Sequence, residues 1–145
     1  MIKEQELLEK AIKIAVEAHD GQKDRYGAPY ILHPTRVMAR LETTSEKIVG
    51  ILHDVVEDTD WGFEDLSAEE IPEHLINAIK AVTKKEGEDY EAFVRRSAAN
   101  PLAKKVKLAD LEDNMDLRRM PEVTEKDLPR LQKYVKAWRF LTDSE

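Results

Sequence analysis

Apolar residues recur at three- and four-residue spacing along almost the whole of this chain. Near its start, Leu7, Ala11 and Ala15 share one side of a helix that is predicted over residues 3–20. No segment shows the alternation of apolar and polar residues that is typical of a half-buried strand. The pattern therefore predicts an all-α fold.

Glycine, proline and capping residues divide the chain into six or seven predicted helices. After the first, helices are predicted to begin at Pro34, Lys47, Pro72, Tyr90, Pro101 and about Glu125. The third has Thr44 or Ser45 as its N-cap, runs to Glu57 and is apolar on nearly every side, which predicts a central buried helix. The last is predicted to face the core with its apolar residues, which are Leu128, Leu131, Val135, Trp138 and Leu141.

Length and charge narrow the class of protein. A chain of 145 residues fits one domain, so residues 1–145 are predicted to form a single unit. Its 30 acidic and 23 basic residues give a net charge of −7, which argues against a nucleic-acid polymer or a membrane surface as partner. The chain has no cysteine, no signal-peptide pattern and no apolar run of membrane-spanning length, so we expect a cytoplasmic protein without disulfides or thiolate ligands.

The segment LHDVVEDT places four ionisable residues on the predicted central helix, namely His53, Asp54, Glu57 and Asp58. Burying such groups without partners is costly, and a bound metal ion would remove that cost. Helical spacing puts Glu57 on the same side as His53 and Asp54. Taken alone, His53 is better explained as a hydrogen-bonded core histidine, but two ionisable pairs on one apolar helix favour a metal site.

Two further segments carry ionisable residues in apolar surroundings. His33, in YILHP, lies where a loop enters a helix, and in KLADLEDNM the spacing puts Lys107, Asp110 and Asn114 on one helical face. Asp110 follows Leu-Ala and needs a partner for its carboxylate, whereas Asp113 is interpreted as a solvated helix acid. The remaining histidines, His19 and His74, are interpreted as a loop support and an exposed residue, and both tryptophans as packing residues.

These residues occur in the order H…HD…D, which is the metal-ligand order of the HD-domain phosphohydrolases. The segments HDGQKDRYGAPYILHP, LHDVVEDT and VKLADLEDN resemble the hydrolase domain of the RelA/SpoT family, and most of all its short members, the small alarmone hydrolases. The resemblance covers residues 8–141 and implies a single HD-domain helical bundle.

The resemblance implies one divalent ion, usually manganese in this family, with four ligands: His33, His53, Asp54 and Asp110. Two imidazoles and two carboxylates are compatible with manganese, iron, zinc or nickel. Glu57 and Asp58 would position or deprotonate the attacking water. The implied reaction removes pyrophosphate from the 3′ position of guanosine tetra- or pentaphosphate (ppGpp or pppGpp).

The expected partner is thus a phosphorylated nucleotide. The resemblance implies that Arg25, Asn114 and Tyr134 contact it, and Lys23 and Lys107 are further cations that we expect near its phosphates. The sequence departs from the family in two places that serve nucleotide recognition. Asp24 stands where a basic residue is usual, and Met115-Asp116-Leu117 follows Asn114.

These departures keep two alternative functions open. One is a phosphatase for another nucleotide, because an HD site would cleave many phosphoesters. The other is a regulatory HD module that binds metal without turnover, although the acid pair Glu57 and Asp58 disfavours it.

Overall fold

The computed structural model describes residues 3–143, in which the regular secondary structure is helical. The α-helices of these residues are α1 (Glu4–Ala18), α2 (Leu32–Ala39), α3 (Thr44–Leu52), α4 (Val55–Asp58), α5 (Phe63–Ala68), α6 (Glu73–Ala81), α7 (Tyr90–Ala98), α8 (Pro101–Asn114) and α9 (Leu128–Asp143). Short 3₁₀ turns at Leu117–Arg119 and Glu125–Asp127 precede α9. The all-α prediction is confirmed, and the predicted six or seven helices correspond to those of eight residues or more. The short α4 covers the end of the predicted third helix, and the short α5 lies where the sequence predicts a turn of helix over residues 63–67. In the described part of the chain, no helix is long and apolar enough to span a membrane.

Helix α3 lies at the centre of the core, as its apolar sequence predicts. Ile48, Val49, Ile51 and Leu52 are at most 1% exposed, and the helix packs against α1, α2, α6 and α8. Gly50 leaves room for the Leu41 side chain, which follows α2, because a Cβ at position 50 would lie 2.6 Å from it. The buried helix α3 therefore fixes the position of His53 and Asp54, which follow its last residue.

The predicted continuous helix to Glu57 is wrong, because the chain breaks at His53 and Asp54. Helix α3 ends at Leu52, and Asp54 has φ −104° and ψ 0° before α4 begins. The Gly50 carbonyl accepts a hydrogen bond of 2.6 Å from His53 Nδ1. In a continued helix that carbonyl would accept from the Asp54 N–H, so the His53 side chain takes over a backbone bond. Because the helix breaks here, the side chains of the consecutive residues His53 and Asp54 can face the same site.

The start of α3 also differs from the prediction by one residue. Its N-cap is Thr43, not Thr44 or Ser45. The Thr43 hydroxyl accepts from the Glu46 N–H at 3.1 Å, and Glu46 Oε1 accepts from the Thr43 N–H at 3.3 Å. This reciprocal pair is a capping box, and the second carboxylate oxygen of the buried Glu46 lies 3.3 Å from Lys105 Nζ.

The inward face of the last helix was predicted too broadly. Helix α9 buries Ala137 and Leu141, whereas Leu128 and Val135 are 47% and 48% exposed. The helix packs mainly against α7 and α8, where Val94 and Leu111 complete a small second core. Because this contact covers only a narrow face of α9, several apolar residues of the helix remain exposed.

Candidate metal and phosphate site

The four predicted metal ligands come together although they lie on three separate segments. His33 is on α2, His53 and Asp54 form the turn between α3 and α4, and Asp110 is on α8. Each offers one ligand atom, and these four atoms lie within 4.8 Å of one another. Asp110 Oδ1 is 2.9 Å from His33 Nε2 and 3.3 Å from His53 Nε2, and Asp54 Oδ2 is 3.0 Å from His53 Nε2.

The hydrogen bonds of the two imidazoles suit a metal ion. Each ring donates from Nδ1 to an outer acceptor, His33 to Asp113 Oδ2 at 2.6 Å and His53 to the Gly50 carbonyl. This arrangement directs both Nε2 lone pairs inward, which is how metal-ligating histidines are oriented. Two such lone pairs facing two carboxylates repel unless a cation lies between them. The donor set therefore fits a divalent ion.

The titration behaviour of the cluster also reflects this demand for positive charge. Burial lowers the pKa of His53, but Asp54 and Asp110 outweigh it and raise that pKa well above its ordinary value. The pKa of Asp110 is held well below its usual range, because Lys107 and the histidines outweigh burial. Lys107 is itself only 7% exposed, and its Nζ lies 3.0 Å from Asp110 Oδ2.

The interpretation of Asp113 as a solvated acid is wrong. Asp113 is fully buried, and besides His33 it accepts hydrogen bonds from Arg36 at 2.7 Å and Arg119 at 3.1 Å. It lies three residues after Asp110 and therefore shares its helical face. That spacing was the signal that could have assigned it to the site.

The acid pair lies beside the predicted ligands at the end of α4. Carboxylate oxygens of Asp54, Glu57 and Asp58 lie within 4.8 Å of one another. Partial burial and the charges of Asp54 and Glu57 raise the pKa of Asp58 to about 6. Glu57 Oε1 accepts a hydrogen bond of 2.9 Å from the Lys84 N–H. A carboxylate with a pKa near neutrality is suited to accept a proton.

A pocket of about 420 Å³ opens over the cluster. Of the residues predicted to contact a nucleotide, Arg25, Lys107, Asn114 and Tyr134 line it, and the Asn114 amide also donates to Asp110 Oδ1 at 3.2 Å. Lys23 is not among the lining residues, because it lies exposed at the base of the loop, where it pairs with Pro29, whereas Arg25 lies at the loop tip.

Several lining residues were not predicted from the sequence. They include the cations Lys84, Arg119, Arg130 and Lys133 and the aromatic residues Tyr26, Tyr30, Tyr90 and Phe93. They come from α7, α9 and three loops, and apart from Tyr30, three residues before His33, no local spacing relates them to the metal ligands. His19 is buried and bonded to Gln22, and His74 is exposed, as predicted.

Comparisons with known proteins agree with this architecture. No family model matches the chain. A guanosine-3′,5′-bis(diphosphate) 3′-pyrophosphohydrolase of Aquifex aeolicus is 33% identical over 122 residues, which are 76% of this chain and 17% of that protein. A GTP pyrophosphokinase of Streptomyces coelicolor is 36% identical over 120 residues, which are 74% of this chain and 14% of that protein. The chain thus spans less than a fifth of either relative.

Among solved structures, a metazoan ortholog of SpoT that hydrolyzes ppGpp superposes with a TM-score of 0.73 and 26% sequence identity. The match covers 93% of this chain and 84% of that one. The similarity thus extends over nearly all of both chains.

Proposed function

This chain belongs to the RelA/SpoT hydrolase-like group of HD-domain proteins, and on that premise we propose that it is a metal-dependent hydrolase that removes the 3′-pyrophosphate of guanosine tetra- or pentaphosphate. The observation that carries the proposal is the cluster of His33, His53, Asp54 and Asp110, all of which except His53 line a pocket that is also lined by cations. Relatives named for this activity or for the synthesis of the same nucleotide support it. We further propose that residues 1–145 act as one hydrolase domain.

The proposed cofactor is one divalent ion, Mn²⁺, held by the four clustered residues. When bound, such an ion supplies Lewis-acid activation of the phosphate and the attacking water. Lys107 keeps Asp110 ionised for that purpose, and Asp113 holds the His33 ring with Nε2 facing inward. The chain itself thus provides both the ligands and the groups that fix their protonation.

Asp58 is the proposed proton acceptor, with Glu57 beside it. The water oxygen forms a bond to the phosphorus that is attached to the 3′ oxygen, and the bond between that phosphorus and the 3′ oxygen breaks. Asp58 takes the proton that the water loses, and a proton returns to the 3′ oxygen as pyrophosphate leaves. Its pKa of about 6 leaves Asp58 mostly ionised at neutral pH, as a proton acceptor must be.

The remaining phosphate charge is proposed to meet the cationic walls of the pocket. Burial, and after it the charges of Lys107 and Arg130, lowers the pKa of Lys133, which lines the pocket with both. Tyr134 and Tyr90 offer aromatic surface beside these cations. A local positive field of this kind is compatible with the overall charge of −7.

A second candidate function, phosphatase activity on another nucleotide, is favoured by Asp24. Its carboxylate accepts from the N–H groups of Tyr26 and Ala28 and lies 3.5 Å from Arg119. These bonds hold the pKa of Asp24 below its usual value despite burial, so a negative charge is fixed in the pocket wall. A substrate with fewer phosphates would tolerate that charge better than guanosine tetraphosphate.

The test is to incubate the purified chain with MnCl₂ and a panel of nucleotides, and to identify the products by anion-exchange chromatography. The panel comprises guanosine 3′,5′-bis(diphosphate), GTP, ATP and nucleoside 3′-monophosphates. We expect GDP and pyrophosphate from the first. Preferred cleavage of another member would support the second candidate, and no cleavage of any member by metal-loaded protein would contradict both.

The Asp58→Asn variant tests the assignment of the base in the same assay. Loss of a general base typically lowers the rate about 10²–10⁴-fold, while metal content should stay unchanged. Glu57→Gln is expected to have the same signature. Asp60→Asn is the matched control, because Asp60 is exposed just beyond α4 and does not line the pocket. A wild-type rate in both acid variants would contradict the proposed mechanism.

A further inference from the structure

The loop before α2 is closed at its base by Gln22 and Tyr30. The Tyr30 N–H donates to the Gln22 carbonyl at 2.9 Å, and the Asp24 N–H donates to the Ala28 carbonyl at 2.8 Å. Lys23 and Pro29 form an antiparallel bridge between these two bonds. Gln22 and Tyr30 are therefore cross-loop neighbours, and their side chains leave the loop on the same side as the half-buried residues between them.

Both side chains reach the turn that carries the proposed base. Gln22 Nε2 donates to the Asp58 carbonyl at 2.8 Å. The Tyr30 hydroxyl donates to Asp54 Oδ2 at 2.5 Å and lies 3.3 Å from Asp58 Oδ2. One residue thus holds the backbone of the turn, and the other bridges a proposed metal ligand and the proposed base.

His19 supports this arrangement from behind. Its Nδ1 donates to Gln22 Oε1 at 2.8 Å, which leaves the Gln22 NH₂ group facing Asp58. The His19 ring is 2% exposed and lies 5.0 Å from the Tyr30 ring, centroid to centroid. The two side chains that reach Asp58 are thus each backed by the same buried imidazole.

The turn needs such support because α4 cannot hold itself. It has four residues and follows Asp54, which provides no side-chain cap for it. A single helical turn has almost no intrinsic stability, whereas catalytic groups must be held to within about 0.5 Å.

We propose that Tyr30 and Gln22 are positioning residues for the acid pair, Tyr30 through the Asp54 and Asp58 carboxylates and Gln22 through the Asp58 backbone. This inference rests on the proposed function, which it extends by two residues outside the metal ligands and the acid pair. The two residues act on different groups, so their variants should differ in a measurable way. Tyr30 contacts the side chains of a proposed metal ligand and of the proposed base, whereas Gln22 contacts the site only through the Asp58 backbone.

The experiment compares Tyr30→Phe and Gln22→Met in the full chain, with Gln132→Met as the control because Gln132 is exposed on α9 and outside the pocket. Calorimetric titration with MnCl₂ gives metal affinity, and steady-state kinetics with guanosine 3′,5′-bis(diphosphate) give kcat and KM. For Tyr30→Phe we expect Mn²⁺ affinity to fall about 10–100-fold, as it does when a hydrogen bond to a metal ligand is lost. Its kcat should fall at least about 10-fold at saturating Mn²⁺, with KM changed less than about 3-fold.

Gln22→Met should keep Mn²⁺ affinity within about 3-fold of the wild type and lose about 10-fold in kcat. Circular dichroism and thermal melts confirm that each variant is folded. Wild-type affinity and kcat in Tyr30→Phe would overturn the proposal, and so would an effect confined to KM, which would make Tyr30 a substrate contact. If the wild type cleaves no nucleotide, the proposed function fails, while the calorimetric comparison still decides the role of Tyr30 toward the metal ligand.

Discussion

Asp113 does for His33 what the Gly50 carbonyl does for His53, since each accepts the Nδ1 proton and turns Nε2 toward the cluster. The two acceptors differ in charge. Asp113 is an ionised carboxylate whose pKa is lowered to about 2, because bonds from His33 and Arg36 outweigh its burial. A charged acceptor makes His33 the stronger electron donor of the pair.

Replacing Asp113 with Asn should therefore weaken metal binding without removing a ligand. The amide keeps one oxygen for His33 but loses the charge that pairs with Arg36 and Arg119. We expect Mn²⁺ affinity to fall about 10–100-fold in calorimetric titration. Glu112→Gln, one position earlier on α8 and half-exposed, is the control and should bind Mn²⁺ like the wild type. Equal affinities in all three proteins would contradict this role for Asp113.

The sequence revealed the proposed ligands but not their surroundings, for a physical reason. His53, Asp54 and Asp110 stand in apolar segments, where a charge without a partner is costly, so together they indicate a site although His53 alone does not. Lys84 stands in a polar loop and Arg130 near the start of a helix, and in sequence neither is distinguishable from an ordinary surface cation. Only the tertiary fold, in which α9 and the loop after α6 meet the site, brings them to the pocket.

At the scale of elements, the start of α3 tests the capping assignment directly. Thr43→Ala removes the hydroxyl that accepts from the Glu46 N–H, so the free energy of unfolding should fall by about 1 kcal/mol in urea titrations. Thr44→Ala is the control, because Thr44 is already inside the helix, and it should change stability by less than about 0.5 kcal/mol. The reverse order would restore Thr44 as the cap.

The loop between α6 and α7 is held by an ion pair that should respond to acid. Arg96 donates to both Glu88 oxygens and to the carbonyls of Lys80 and Thr83. Hydrogen bonds from Arg96 and from the Lys85 N–H lower the pKa of Glu88 from 4.5 to about 2. This loop also contains Lys84, whose backbone N–H donates a hydrogen bond to Glu57 of the acid pair.

Because the folded-state pKa of Glu88 is depressed, its stabilising contribution is complete above about pH 4.5 and disappears as the pH falls toward 2. Glu88→Gln should therefore unfold at lower urea concentration than the wild type at pH 7, and the difference should vanish near pH 2. Glu86→Gln in the same loop is exposed and should follow the wild type throughout. A difference between Glu88→Gln and the wild type that is independent of pH would refute the ion-pair explanation.

Helix positions were predictable where apolar spacing is regular, whereas only some helix ends were. Helices α7 and α8 begin at the predicted Tyr90 and Pro101. The break at His53 was missed because a side-chain bond to the Gly50 carbonyl replaces a backbone bond, and no local propensity encodes that competition. Similarly, the exposure of Val135 depends on how narrowly α9 packs, which its own sequence does not state.

For the molecule as a whole, the proposed metal site joins segments that are far apart in sequence. His33 and Asp110 are 77 positions apart, and His53 and Asp110 are 57 apart. An ion bound by all of them would link α2, the α3–α4 turn and α8. An unfolded chain cannot hold this arrangement, so binding should stabilise the folded state by mass action.

Thermal unfolding should therefore depend on metal. At a Mn²⁺ concentration of about 100 Kd the gain is about 2.7 kcal/mol, which for a chain of this size corresponds to a rise in Tm of roughly 5–10 °C. A chelator should reverse it. His53→Ala removes one ligand and leaves Asp54 and Asp110 with less compensation, so this variant should melt lower and gain little from Mn²⁺. His74→Ala is the control, because His74 is exposed on α6 and should respond to Mn²⁺ like the wild type. If His53→Ala gained as much as His74→Ala, the ion would bind elsewhere, and the assignment of the four ligands would be wrong.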